Sequence, residues 1–208
     1  MSRPSKSIAF AAVLWLAACA TPGAPRFEYA VPPLPEGPSG VTAKEGIAAQ
    51  RFMVAAANPL ATEAGLRVLK AGGNALDAAV AVQMVLALVE PQSSGIGGGA
   101  FLLHFDGRAL QAWDGRETAP AAADERLFLD AGGKPLPFMD AVVGGRAVGV
   151  PGAVRMLEAA HRQHGRLPWP ALLQPAIALA EQGFRISPRL HALLQADAAL
   201  RSDPQARG

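Results

Sequence analysis

The run Ala78–Val89 constrains this chain more than any other stretch. It reads AAVAVQMVLALV, apolar almost all the way round, so a helix built from it offers water no polar face and must lie at the centre of a fold. It is too short to span a bilayer, which takes about 20 residues, and Asp77 and Gln83 interrupt it. Its ends are marked. Asn74 suits the free amides of a first turn, Asp77 suits the positive end of the dipole, and Pro91 stops the helix.

The flanking sequence supplies covers for it. Asn58-Pro59 predicts a helix start, because Asn caps and Pro at the first position loses no hydrogen bond. Leu60, Ala64 and Val68 then fall on one face and Glu63, Arg67 and Lys70 on the other, up to Gly72-Gly73. Before it, Ile47–Ala56 has the composition of a buried strand. After the central helix, Ala100–Phe105 predicts a strand, Asp106-Gly107 a two-residue turn, and Arg108–Trp113 the return strand. Asp114–Pro120 leaves as a loop, and Ala147–Val150 has the pattern of a short strand. Three more helices are expected: Pro151–His164, Pro168–Gln182, and one capped by Ser187-Pro188 that runs to about Leu200. The mixture is α/β or α+β in layered form. So few strands for so apolar a helix give the chain the look of part of a domain.

Composition narrows the function. Half of the 208 residues are apolar and 17% are charged, as in a folded chain. The formal charge of +2 includes Arg3 and Lys6, which belong to a removable leader, so the mature chain is near neutral and points to no nucleic-acid partner. A single cysteine excludes a disulfide framework and a Cys-based zinc cluster. That leader, residues 1–18, has a basic start and an apolar run from Ile8 to Leu16. Its end, Leu16-Ala17-Ala18-Cys19, resembles the lipobox of bacterial lipoproteins, which implies a lipid on Cys19, a periplasmic location and a membrane anchor. Ala20 after it suits sorting to the outer membrane. Residues 19–44 are proline-rich and predict a semi-extended tether, leaving residues 45–208 as the globular part.

Few residues in that part look chemical. Gly95-Ile96-Gly97-Gly98-Gly99-Ala100 holds a Gly-x-Gly-x-x-Ala pattern, but it follows a helix and leads into a strand, the reverse of a dinucleotide site. Close backbone packing or a site-lining loop are the readings left open. His161 and His164 have metal-ligand spacing without a third ligand, and solvated helix positions are the expectation. Glu63 and Arg67 make a surface pair, Ser93-Ser94 lack a base nearby in sequence, and Thr42, Thr62 and Thr118 are internal. Arg116 stands where a hairpin strand becomes a loop, beside Asp114 and Glu117. Its guanidinium is open to two readings: a local pair with one of those acids, or a two-bonded clamp for a ligand carboxylate.

The ordered segments Asn58-Pro-Leu-Ala-Thr-Glu-Ala-Gly, Gly72-Gly-Asn-Ala-Leu-Asp-Ala-Ala, Glu90-Pro-Gln-Ser-Ser-Gly-Ile-Gly-Gly-Gly and Asp114-Gly-Arg-Glu-Thr-Ala-Pro resemble the amino-terminal part of gamma-glutamyltransferases. Gly149-Val-Pro-Gly, Gly165-Arg-Leu-Pro-Trp and Ser187-Pro-Arg-Leu extend the likeness from about Gly46 to Leu200. The resemblance implies an N-terminal-nucleophile hydrolase with a stacked αββα sandwich, of which these residues are a truncated, large-subunit portion. It implies a precursor that cleaves itself. The new amino-terminal threonine of the small subunit then attacks the γ-glutamyl amide of a donor such as glutathione. Water, an amino acid or a peptide accepts the acyl group, and no metal or organic cofactor takes part. Arg116 matches the family arginine that binds the glutamyl α-carboxylate. The nucleophile itself lies downstream in the family, so these 208 residues alone are expected to be inactive. A cephalosporin (glutaryl) acylase of the same superfamily, or a non-catalytic lipid-tethered binding protein, are the alternatives.

Overall fold

The computed structural model describes residues 45–206; Cys19, the leader and the tether lie outside the described residues. Two helices, α1 (Pro59–Lys70) and α2 (Ala75–Val89), open the fold. Asn58 caps α1 by accepting from the Leu60 N–H at 3.0 Å. Asn74 and Asp77 form a reciprocal capping box on α2, with bonds of 3.0 and 2.9 Å. In α2 only Ala75 is exposed, and Val80, Val85 and Val89 are essentially out of solvent. Each such valine contributes about 1.5–3 kcal/mol by its burial, which is why this helix organises the rest.

The covers are α1, α4 (Ala153–His164), α5 (Trp169–Gln182) and a hairpin of β1 (Ala100–Phe105) and β2 (Leu110–Gly115). One cluster joins Val68, Val80 and Met84 to Met156, Leu157 and Leu172; the other joins Ala61 and Ala64 to Val85 and Val89. The strands pair antiparallel, with Ala100 opposite Gly115 and Phe105 opposite Leu110. Ala100, Leu102 and Trp113 face the helices. The other face is open: Phe101, Leu103 and Phe105 are each more than 60% exposed.

Several expectations need correction. Ile47–Ala56 forms no strand. Burial does alternate from Arg51 to Ala57, but no neighbouring strand among the described residues supplies a ladder. The hairpin turn is not two residues but four, Asp106–Ala109, because the Asp106 carboxylate accepts from both Arg108 N–H (2.7 Å) and Ala109 N–H (2.8 Å) and holds the wider loop. Ala147–Val150 is not a strand either. A 3-10 turn occupies Gly145–Ala147, and Val150 makes one bridge, to Thr118. The last helix is broken in two, α6 (Pro188–Ala196) and α7 (Ala198–Ser202), since Asp197 ends the first and caps the second. A short α3 (Phe138–Val142) was not foreseen. Among the described residues no helix is long and apolar enough to cross a membrane.

Candidate functional site

The site is assembled from the glycine-rich loop, the end of β2 and the start of α4. The loop is first fixed at its root. Glu90, 4% exposed, ends α2 and accepts from Asn58 Nδ2 (2.9 Å) and Gln92 Nε2 (2.6 Å), while its carbonyl takes the Ser93 and Ser94 amides. Arg189 Nη1 stands 3.9 Å from the same carboxylate, so a buried charge has a counterion. Gln83 Nε2 donates to Ser94 Oγ at 2.8 Å. At the far end of the loop, the Gly98 carbonyl accepts from Gly152 N–H (3.2 Å) and Ala153 N–H (3.1 Å), which ties the loop to the first turn of α4.

Four glycines meet there, from parts of the sequence far apart. A Cβ on Gly99 would come within 2.8 Å of Arg116 Cα, and one on Gly152 within 2.8 Å of the Arg116 carbonyl oxygen. On Gly115 it would lie 2.6 Å from Met156 Cβ, and on Gly149 2.9 Å from Glu117 Cβ. The Gly99 and Gly152 contacts are with backbone atoms and leave no room for a side chain, while those of Gly115 and Gly149 are with the roots of the Met156 and Glu117 side chains. Of the two readings of the Gly-rich run, close packing is the one the geometry displays, and it packs the loop directly under Arg116.

Arg116 itself is held by its main chain. Its N–H donates to Asp114 Oδ1 at 2.9 Å, and two residues on the Thr118–Val150 bridge closes with bonds of 3.3 and 2.9 Å. Arg116 is exposed and is one of the residues lining an open cleft of about 370 Å³, with Asp114, Thr118, Pro151, Gly152 and Arg155. Among the described residues its guanidinium forms no ion pair and no hydrogen bond: Asp114 serves the backbone, and the Glu117 carboxylate sits against Gly98 and Gly99. Arg155, by contrast, is engaged with Glu158 at 3.1 Å.

The histidines are not solvated, which corrects that expectation. His161 Nε2 lies 2.9 Å from the Leu167 carbonyl and 3.4 Å from Asp77 Oδ1, and His164 Nε2 lies 2.6 Å from Gln111 Oε1. They fasten the end of α4 to α2, to the following loop and to the hairpin. Sequence reasoning missed the partner of Asp77, which is wholly buried and accepts from the Arg166 and Leu167 amides about 90 residues away. Only the unusual presence of an acid beside an all-apolar helix could have signalled it.

Helices lie on one face of the hairpin, with a glycine junction at the strand end. It is the likeness to solved structures that places this fold with the N-terminal-nucleophile hydrolases. A crystal structure of Helicobacter pylori gamma-glutamyltranspeptidase superposes with a TM-score of 0.72 at 37% identity, covering 78% of this chain and 47% of that one. The cephalosporin acylase of Bacillus halodurans gives 0.59 at 33% identity, over 77% of this chain and 33% of that one. Residues 61–208 match the family model described as gamma-glutamyltranspeptidase, and the chain belongs to that family. A glutathione hydrolase proenzyme of Bacillus subtilis is 51% identical over 136 residues, which is 64% of this chain and 23% of that protein. The chain thus spans about a quarter of the length of such relatives.

Proposed function

We propose that these residues form the large-subunit portion of a γ-glutamyltransferase that cleaves the γ-glutamyl amide of glutathione and related donors. Arg116 clasps the α-carboxylate of the glutamyl group. The nucleophile, an amino-terminal threonine, comes from a small subunit made by autocleavage, and its own amine serves as base. The acyl-enzyme then passes to water, an amino acid or a peptide. A lipid on Cys19 tethers the protein in the periplasm, at the outer membrane.

One observation carries the reading: the Arg116 main chain is packed against Gly99 and Gly152 at the edge of an open cleft, and among the described residues its guanidinium has no ion pair and no hydrogen bond. A carboxylate held there by two charged bonds gains about 1.5–3 kcal/mol from each. In the complete gene product, Arg116→Ala should therefore raise KM for a chromogenic γ-glutamyl anilide by about a hundredfold with a smaller change in kcat. An unchanged KM removes the assignment. The same 208 residues purified alone should leave the anilide intact.

The likeness to the Bacillus halodurans acylase favours a second reading, hydrolysis of glutaryl amides. A glutaryl group carries a terminal carboxylate at the same distance from its amide but lacks the α-ammonium. Arg116 serves either substrate. Comparing kcat/KM for glutaryl and γ-glutamyl amides separates the two, because only a group that reads the ammonium distinguishes them.

A further inference from the structure

We infer that Asp114 is a positioning residue for Arg116: its carboxylate fixes the arginine's main chain and leaves the guanidinium free. The inference rests on the proposed carboxylate-binding role of Arg116 and extends it to a second side chain. Asp114 is exposed on β2, two residues before Arg116, and it lines the same cleft as Arg116. A carboxylate there opposes an anionic ligand, since two like charges a few ångströms apart repel. Its geometry shows what it does there despite that repulsion. Oδ1 accepts the Arg116 N–H at 2.9 Å, and the carboxylate makes no ion pair with the guanidinium. This is the local Asx arrangement in which the side chain closes a turn on a backbone amide two residues on.

Without that bond the segment would still be held by the Ala100–Gly115 pairing, by the packing at Gly99 and Gly152 and by the Thr118–Val150 bridge, but among the described residues nothing else would hold the Arg116 N–H. The acceptor matters, not the charge. An amide oxygen at the same place does the same work.

The test is the affinity of the complete gene product for L-glutamate by calorimetry, with γ-aminobutyrate, which lacks the α-carboxylate, as the control. Asp114→Ala should weaken Kd about tenfold, the equivalent of one hydrogen bond to a charged group. Asp114→Asn should stay within about twofold of the parent, or bind tighter as the repulsion disappears. If Asp114→Ala binds normally, the inference fails. It also fails if Asp114→Asn is as weak as Asp114→Ala, since the carboxylate is then reading the ligand's ammonium directly. Should Asp114→Ala not fold, the Asn variant alone still decides between acceptor and charge. Arg116→Ala keeps this separate from the functional reading. If it binds glutamate like the parent, or if the parent binds γ-aminobutyrate equally well or glutamate not at all, the carboxylate site itself is wrong and Asp114 falls with it.

Discussion

The amino end of α2 and the loop leaving β2 are each built around one charged side chain, and they treat it in opposite ways. Asp77 is wholly buried and saturated: the amides of Asn74, Arg166 and Leu167 reach its oxygens at 2.9–3.3 Å, and His161 Nε2 lies 3.4 Å away. Arg116 is exposed and, among the described residues, its guanidinium is bonded to nothing, though its main chain is packed between glycines. Saturation ties distant segments together and leaves nothing over for a ligand. A rigid backbone with an unspent cation is the reverse arrangement, suited to taking up charge from outside. The difference locates stability at Asp77 and puts the proposed recognition at Arg116.

Removing the saturated group should have the largest effect. Asp77→Ala strands the Asn74, Arg166 and Leu167 amides away from water, at about 1–3 kcal/mol for each group left unsatisfied. A loss of at least about 3 kcal/mol in urea unfolding is expected. A loss below about 1 kcal/mol would mean that the loop after α4 is held by apolar packing instead, and the contrast with Arg116 would dissolve.

A smaller and more local effect is expected at the glycine junction. In Gly152→Ala the new methyl meets the Gly115 carbonyl carbon at 2.7 Å and the Arg116 carbonyl oxygen at 2.8 Å, neither of which is a flexible side-chain tip. Overpacking of that kind costs about 1–3 kcal/mol. Amide exchange should rise at Thr118 and Val150, whose bridge lies beside the junction, and stay unchanged at Arg166 and Leu167. Equal loosening at both sites would show that the two regions are one cooperative unit.

The helices were legible because their signals are local. Asn58-Pro59 and Asn74 with Asp77 gave the starts of α1 and α2, and the apolar circumference of α2 gave its central place. The strand Ala100–Phe105 was also legible, from its own composition. What depended on distant neighbours was not. Ile47–Ala56 has the composition of a strand, yet a strand exists only where another offers a ladder. Asp77 looked like a helix-dipole residue, and its partners lie about 90 residues away. Close packing was an open reading for the run that holds Gly99, but its meeting with Gly115, Gly149 and Gly152 is a property of the fold. Arg116 was picked out by its place at a strand end; that Asp114 and Glu117 are engaged elsewhere speaks against the local pair, and the ligand role is the one proposed above.

Asp106 gives the smallest effect and sharpens the comparison from a third position. Like Asp114 it offers a carboxylate to backbone amides at the hairpin, and unlike Asp77 it is exposed. The Ala109 N–H, and after it the Arg108 N–H, hold its carboxyl below the usual aspartate value of about 3.9. Depression in the folded state means that the unfolded chain binds more protons in this range. The contribution to stability is therefore complete above the ordinary value and disappears as pH falls through the folded one. Asp106→Asn keeps the acceptor and removes the titration, so its stability relative to the parent should be flat near neutrality and change only below about pH 4. A carbon-detected NMR titration of the Asp106 carboxyl checks the cause. A midpoint at or above the ordinary aspartate value would mean that these two amides do not hold the turn, and the four-residue loop would need another explanation.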